Sequence, residues 1–358
     1  MKIAKLPAAG RGESRGLSFL IPIQLATAVA ALGLLTTAKA DPIGDLRSVS
    51  VFKDADLNKL AGGDVLATRG PAMSFARGLS VQSAYVVRAP VKTTLGYQRQ
   101  WSPARHPELK VYEQSDFSGR GSPADFQGLA SAPSNGAIRA FADATLRLPQ
   151  SASKLQLSNA EARSFSGGGS SGGAIPPSVV AFWSKVLADR AQSFNSGGLS
   201  GLPPYETSGT TIRVEQEVQE LIRGSGNVRS SFAPVIESSA IGGGGGRPES
   251  QSWQLFDADG MAAVSLTASY SRPVSSGWQE ADLQYYASGA VYAVLTFYQL
   301  WPVTVGGQEA TLVWRVDMVS ASELGQLRGV ERLGSGAAMM REIQKSVKAF
   351  LRDYSGAR

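Results

Sequence analysis

The fold is decided by residues 290–319, which read AVYAVLTFYQLWPVTVGGQEATLVWRVDMV. Two runs rich in β-branched and aromatic residues flank Gly306-Gly307, and such a glycine pair supplies the positive φ angles that a tight turn needs. The pattern predicts an antiparallel hairpin with strands at 290–303 and 310–319.

The two predicted strands differ in how they are buried. The second carries Thr311, Arg315 and Asp317 on one face and apolar residues on the other, which is typical of a half-buried antiparallel strand. The first is apolar on both faces, so we expect it to be covered on both sides: Val291, Leu295, Phe297 and Trp301 on one face, and Tyr292, Val294, Tyr298 and Leu300 on the other.

A long helix is predicted at the carboxyl end of the chain, over 336–354. Its apolar residues recur at spacings of three and four, which indicates an amphipathic helix. We expect the apolar face to dock on the sheet, because the preceding strands need a cover. The alternative is that the basic face of this helix binds anionic lipid. The stripe consists of Met340, Ile343, Val347, Phe350, Leu351 and Tyr354.

The remaining pattern completes an α+β fold class: an antiparallel sheet, a long C-terminal helix packed on it, and a helical, Gly-rich insertion at about 120–245. A second hairpin turns at Asp257-Ala-Asp-Gly260, where Gly260 is predicted to adopt a positive φ. Ala89-Pro90 favours the start of a helix. Further strands are predicted at 65–68, 79–88, 252–256 and 261–270, and further helices at 123–147, 180–194 and 211–223.

The amino terminus has the layout of a secretory signal peptide. A basic stretch at 1–16 precedes an apolar run at 17–35 and the small-residue step Ala38-Lys39-Ala40. We therefore predict cleavage after Ala40 and a periplasmic or secreted single domain at 41–358. The alternative is that the 19-residue apolar run stays as a membrane anchor.

Composition excludes several classes of function. The 358-residue chain has no Cys and one His, so disulfides, thiol nucleophiles and multi-histidine metal sites are excluded. Asp257-Ala-Asp-Gly260 lacks the later ligands of a calcium loop. The net charge of +6 falls to +2 once residues 1–40 are removed, which speaks against a nucleic-acid partner. We predict no cofactor and no metal.

This order of elements resembles the helix-grip architecture of the START-like superfamily, which includes polyketide cyclases and lipid-transfer domains. The resemblance is carried by the strand ending in Ala89-Pro90, by the antiparallel strands, and by the terminal helix after Leu324–Arg328 and Gly334-Ser-Gly336. The mature chain also resembles uncharacterised exported bacterial proteins through Leu60-x2-Gly63-x-Val65 and Trp183-x3-Leu187-x2-Arg190-Ala191. The resemblance implies a cavity between sheet and helix.

The leading hypothesis is an exported, non-catalytic protein that binds a hydrophobic or lipid-like ligand in that cavity. A cell-envelope interaction or scaffold protein without a small-molecule ligand is the alternative, and a hydrolase of unknown substrate comes third. No catalytic residue is predicted, because His106 stands between prolines and no Gly-x-Ser-x-Gly elbow occurs. Lys345-Ser346 is expected to face outward. The candidate lining residues are Tyr292, Phe297, Tyr298, Trp301 and Trp314, with Asp317 as a cavity carboxylate.

Overall fold

The computed structural model describes residues 41–148, 155–167, 174–207, 209–327 and 329–356. The predicted signal peptide at 1–40 lies outside the described residues. None of the helices in these ranges is long and apolar enough to cross a membrane.

The described strands form one eight-stranded antiparallel sheet in the order β1-β2-β8-β7-β6-β5-β4-β3. Strands that follow one another mostly pair as hairpins, while β2 pairs with β8 and brings the two ends of the domain together. The strands are β1 (Leu66–Arg69), β2 (Gly78–Val87), β3 (Val111–Phe117), β4 (Ser250–Ala258), β5 (Met261–Val274), β6 (Gly277–Ala287), β7 (Ala293–Val305) and β8 (Gln308–Ser320).

The α-helices lie before, between and after the strands. A block of them falls between β3 and β4, where the helical insertion is predicted. They are α1 (Pro42–Val49), α2 (Leu57–Ala61), α3 (Val91–Gln100), α4 (Gly136–Leu146), α5 (Asn159–Ser164), α6 (Pro177–Gly197), α7 (Val214–Arg223), α8 (Gly226–Ser231), α9 (Ala233–Glu237), α10 (Ser322–Gln326) and α11 (Gly329–Gly356).

Both predicted hairpins are confirmed, with their turns where the glycines stand. Gly306 and Gly307 have φ angles of 57° and 78°, and Gly260 has a φ of 85°. β7 and β8 pair along their whole length, from Ala293↔Ser320 to Val305↔Gln308. The helix predicted after Pro90 is also present, as α3. The hairpin at 290–319 therefore supplies two inner strands of the sheet.

The two faces of the sheet are covered by different elements. On one face, α4 packs on β4 and β5, α7 on β7 and β8, and α9 on β5 and β6; we call this the insertion face. It holds the largest core, in which Trp183, Trp253 and Trp314 are all buried. On the other face, α3 and α11 cover part of β1, β2, β7 and β8; we call this the cavity face.

The prediction that the 310–319 strand is only half-buried is wrong, because α3 and α11 also cover its polar face. Thr311 is fully buried, and its Oγ1 donates to the Ala89 carbonyl oxygen at 2.7 Å. Arg315 and Asp317 pair with each other. The polar side chains on this face are thus satisfied by internal partners instead of by water.

A β-bulge interrupts the alternation of β6. The partner of Leu266 is Tyr286 and the partner of Thr267 is Gln284, so Tyr285 is the extra residue. Tyr285 stacks on Phe194 with ring centroids 3.9 Å apart, and the ring of Tyr286 lies under the Arg190 guanidinium at 4.2 Å. Two successive tyrosines therefore face the helices of the insertion, because a bulge shifts the side-chain alternation by one residue.

Candidate functional site

A cavity of about 580 Å³ lies on the cavity face, over β3–β6 and beside α11. Its size is within the range of small-molecule sites in proteins. Residues from β2–β8, α3 and α11 contribute to its wall. A second, adjoining cavity of about 1140 Å³ shares Asp116, Glu249, Ser250 and Tyr270 with it and extends to the glycine-rich stretch 243–246.

The sheet side of the cavity is polar because alternate residues of β4, β5 and β6 carry hydrogen-bonding groups. Side chains that are two positions apart on a strand point to the same face. Cross-strand pairing joins them into rows, one of which runs Ser269↔Asp282 and another Ser271↔Glu280. The polar wall includes Ser252, Gln254, Thr267, Ser269, Glu280 and Asp282.

The α11 side of the cavity is mainly apolar. Ile343, Val347 and Phe350 are buried on this helix and also line the cavity, together with Met339. Ser346 lines it too, so the expectation that Lys345-Ser346 faces outward is wrong for the serine. The cavity therefore offers an apolar wall and a polar wall to the same occupant.

Glu280 is the most deeply buried acid of the cavity, with 9% of its surface exposed. Burial, reinforced by the neighbouring charge of Asp282, raises the pKa of Glu280 to about 8. Arg99 from α3 lies 3.6 Å from its Oε1, measured from Nε, and opposes that rise. The same arginine also pairs with Glu249 and donates to Ser271 Oγ at 2.7 Å. One cation thus serves two carboxylates.

Asp282 stands two residues further along β6, on the same face. Its Oδ1 accepts a hydrogen bond from Ser269 Oγ at 2.6 Å. Burial raises the pKa of Asp282, and the Ser269 hydrogen bond and the charge of Arg315 oppose that rise. Two adjacent carboxyl groups with raised pKa values in one cavity mark a candidate functional site.

Arg315 is engaged by another acid. Its Nε donates to Asp317 Oδ2 at 2.8 Å and its Nη2 donates to Asp317 Oδ1 at 2.6 Å, a bidentate arrangement. Thr296 Oγ1 also donates to Asp317 Oδ1 at 3.0 Å. Asp317 therefore holds Arg315 in place beside the cavity and is not among the groups that line it.

The five aromatic residues predicted to line a pocket are divided between the two faces. Tyr298 lines the cavity. Phe297 and Trp314 stack on Phe232, with ring centroids 4.9 Å and 5.3 Å away, and so belong to the core of the insertion face. Of the other two aromatic residues, Trp301 stacks on Trp314 and Tyr292 stacks on Tyr205. That the six predicted residues contact a ligand stays a prediction.

Sequence reasoning missed Glu280 and Asp282 because it missed β6. The signal was present: polar residues Glu280, Asp282 and Gln284 alternate with apolar Ala281 and Leu283. Acidic residues are depleted in strands, which lowers the weight of such a segment. Among the described residues, no cluster of three or more His, Asp or Glu could hold a metal ion.

The described elements form an α+β protein with an antiparallel sheet and a long C-terminal helix. This arrangement is compatible with a helix-grip-like fold. No protein-family model matches the chain, and no curated protein matches it in sequence. Among solved structures, a START superfamily protein from Mycobacterium smegmatis is similar over 29% of this chain and 65% of its own length, with 14% identity and a TM-score of 0.22.

Proposed function

We propose that this protein is an exported binding protein that holds an amphipathic small molecule in the cavity between the sheet and α11, without transforming it. The observation that carries the proposal is the contrast between the two walls of the cavity. Its sheet wall presents hydroxyl, amide and carboxyl groups, whereas α11 presents Ile343, Val347 and Phe350.

The expected ligand follows from this contrast. A purely apolar molecule would leave the polar wall without hydrogen-bond partners, which is costly for buried groups. A purely polar molecule would leave the apolar wall against water. A molecule with a polar head on an apolar body satisfies both walls, with its body against α11. The hydrophobic, lipid-like ligand expected from the sequence is thereby narrowed to one with a polar end.

Direct binding tests the proposal. Native mass spectrometry and isothermal titration calorimetry would be run on the purified protein with dodecanol and dodecylammonium chloride, each below its aggregation concentration. We expect saturable binding of one molecule per chain by at least one probe. The proposal fails if neither probe binds and no co-purified small molecule is detected.

A matched pair of variants locates the site. Ser346→Trp places a large ring in the cavity and is expected to abolish binding, since Ser346 lines it. Lys348→Trp adds the same ring to an exposed position of the same helix and is expected to leave binding unchanged. Equal loss in both variants, or in neither, would contradict the assignment of the cavity.

A further inference from the structure

The carboxyl pair on β6 narrows the ligand further. Resting on the proposed function, we infer that the polar end of the ligand is a protonated amine, which Glu280 and Asp282 bind together. The two carboxyl groups line the cavity from the same face of one strand, and the mainly apolar side chains of α11 in the same lining suit the body of an amphipathic amine.

The charge balance of the cavity supports a cationic ligand. Its lining contains five acids and two arginines. Both arginines already have acidic partners. Arg315 donates two hydrogen bonds to Asp317, and Arg99 is shared between Glu249 and Glu280. Two of the acids are exposed and already paired, Glu342 with Lys345 and Glu249 with Arg99. A ligand cation would therefore compensate the charge that Glu280 and Asp282 carry when they are ionised, since a buried carboxylate is stable only when it is paired. The acids are Asp116, Glu249, Glu280, Asp282 and Glu342.

Two amide atoms that belong to residues of the cavity wall have no hydrogen-bond partner in the structure. Gln98 Oε1 and Gln284 Nε2 are inaccessible to solvent and have no hydrogen-bond partner, and both residues line the cavity. Gln98 Nε2 donates to the Tyr85 hydroxyl in a long hydrogen bond of 3.4 Å.

Proton release should accompany amine binding, because the ligand cation lowers the pKa of Glu280 from about 8. The ionisable groups around this acid are Asp282 on its own strand, Arg99 on α3, Glu249 before β4 and Tyr85 on β2. Asp282 in turn faces Arg315, Asp317 and Tyr298 on β8 and β7. Arginines and tyrosines keep their protonation state near neutral pH, so Glu280 is the source of the released proton.

Calorimetry with two probes of equal chain length tests the inference. At pH 7, dodecylammonium is expected to bind at least about tenfold more tightly than dodecanol. Repeating the titrations in buffers of different ionisation enthalpy should show a proton released on amine binding and none on alcohol binding. Binding of both probes with equal affinity and no proton release would overturn the inference while leaving the proposed function intact; binding of neither would overturn the proposed function itself.

Variants then assign the effect to the carboxyl pair. Glu280→Gln and Asp282→Asn are each expected to weaken amine binding about tenfold and to weaken dodecanol binding by a smaller factor, because the neutral alcohol loses no charge interaction. Glu309→Gln makes the same chemical change at an exposed position of β8 and is the control. Amine affinity unaltered in both β6 variants would contradict the inference. Should either variant fail to fold, the proton release of the unmodified protein decides the matter.

Discussion

The insertion face and the cavity face are built from alternate residues of the same strands, yet they differ in polarity and in packing. On β6, Ala281, Leu283 and Tyr285 are fully buried among helices, while Glu280 and Asp282 border a cavity. The insertion face is close-packed and stabilises the fold through apolar burial. The cavity face tolerates polar groups and empty volume. The packed core and the proposed binding site therefore lie on opposite sides of one sheet.

The largest expected effect is on the insertion face. Trp314→Ala is expected to lower the free energy of unfolding by about 3–5 kcal/mol, because Trp314 is fully buried and stacks on Phe232 and Trp301. Urea denaturation measures the change. Trp101→Ala at the cavity rim serves as the control and should cost clearly less. A smaller loss for Trp314 than for Trp101 would break the distinction between the faces.

The ion pair beside the cavity comes next. Asp317→Asn is expected to destabilise the protein by about 3 kcal/mol, because it leaves the Arg315 guanidinium without its charge partner. Replacing both residues, as Arg315→Met with Asp317→Leu, should recover most of that loss, since no charge then remains unpaired. Thermal and urea unfolding of the three proteins measure this. A double variant less stable than Asp317→Asn would contradict the explanation.

The pH dependence of stability is the next effect. The pKa of Glu280 is raised from 4.5 to about 8 in the folded protein, so between these values the folded state holds a proton that the unfolded state has lost. The contribution of Glu280 to the free energy of unfolding is therefore fully present below its pKa in the unfolded chain, and it is lost as the pH rises toward the folded pKa. Each pH unit within this window costs about 1.4 kcal/mol, so the free energy of unfolding should fall by about 2 kcal/mol between about pH 5.5 and pH 7.

Glu280→Gln isolates this contribution. The glutamine keeps its neutral form at all pH values, so the variant should lose the decline that Glu280 causes, and the difference between the two proteins should grow with pH. Urea unfolding at matched pH values gives both curves. Parallel curves for the variant and the unmodified protein would show that Glu280 is ionised at neutral pH in the folded state.

The smallest effect is expected for the hydroxyl groups of the polar wall. Ser252→Ala and Thr267→Val should each change the free energy of unfolding by no more than about 0.5 kcal/mol, because they face a cavity and not a packed core. The same measurement on Ser184→Val is the contrast, since Ser184 is fully buried in α6. A large loss at Ser252 would contradict the conclusion that this hydroxyl borders a cavity.

Much of the fold could be predicted from the sequence. The strands of both hairpins and α11 have strong periodicity, and glycines mark their turns at Gly260 and Gly306-Gly307. β3 was missed because it is a sheet edge with a half-exposed, irregular pattern, and β6 because its cavity side is acidic. Local sequence patterns predict a strand or helix well where its buried positions are apolar and its exposed positions are polar.

The site could be predicted less well, for a physical reason. Alternation places Tyr298 and Phe297 on opposite faces, but it does not say which face meets a helix layer and which meets a cavity. That depends on β2 pairing with β8 and on where the insertion folds back, both of which are long-range. Asp317 was predicted to be a cavity carboxylate, whereas in the structure it pairs with Arg315, two residues away.

The extra residue at Tyr285 makes chain length, and not only residue type, a constraint on this protein. A one-residue slip of β6 toward its carboxyl end would turn Glu280 and Asp282 into the apolar core and Leu283 into the cavity. Natural length variation between Gly277 and Ala287 should therefore be absent, whereas the turn at Ser275-Ser276 can lengthen without exchanging the faces. An insertion or deletion within β6 exchanges the residues of the two faces unless a bulge absorbs it, as the bulge at Tyr285 does.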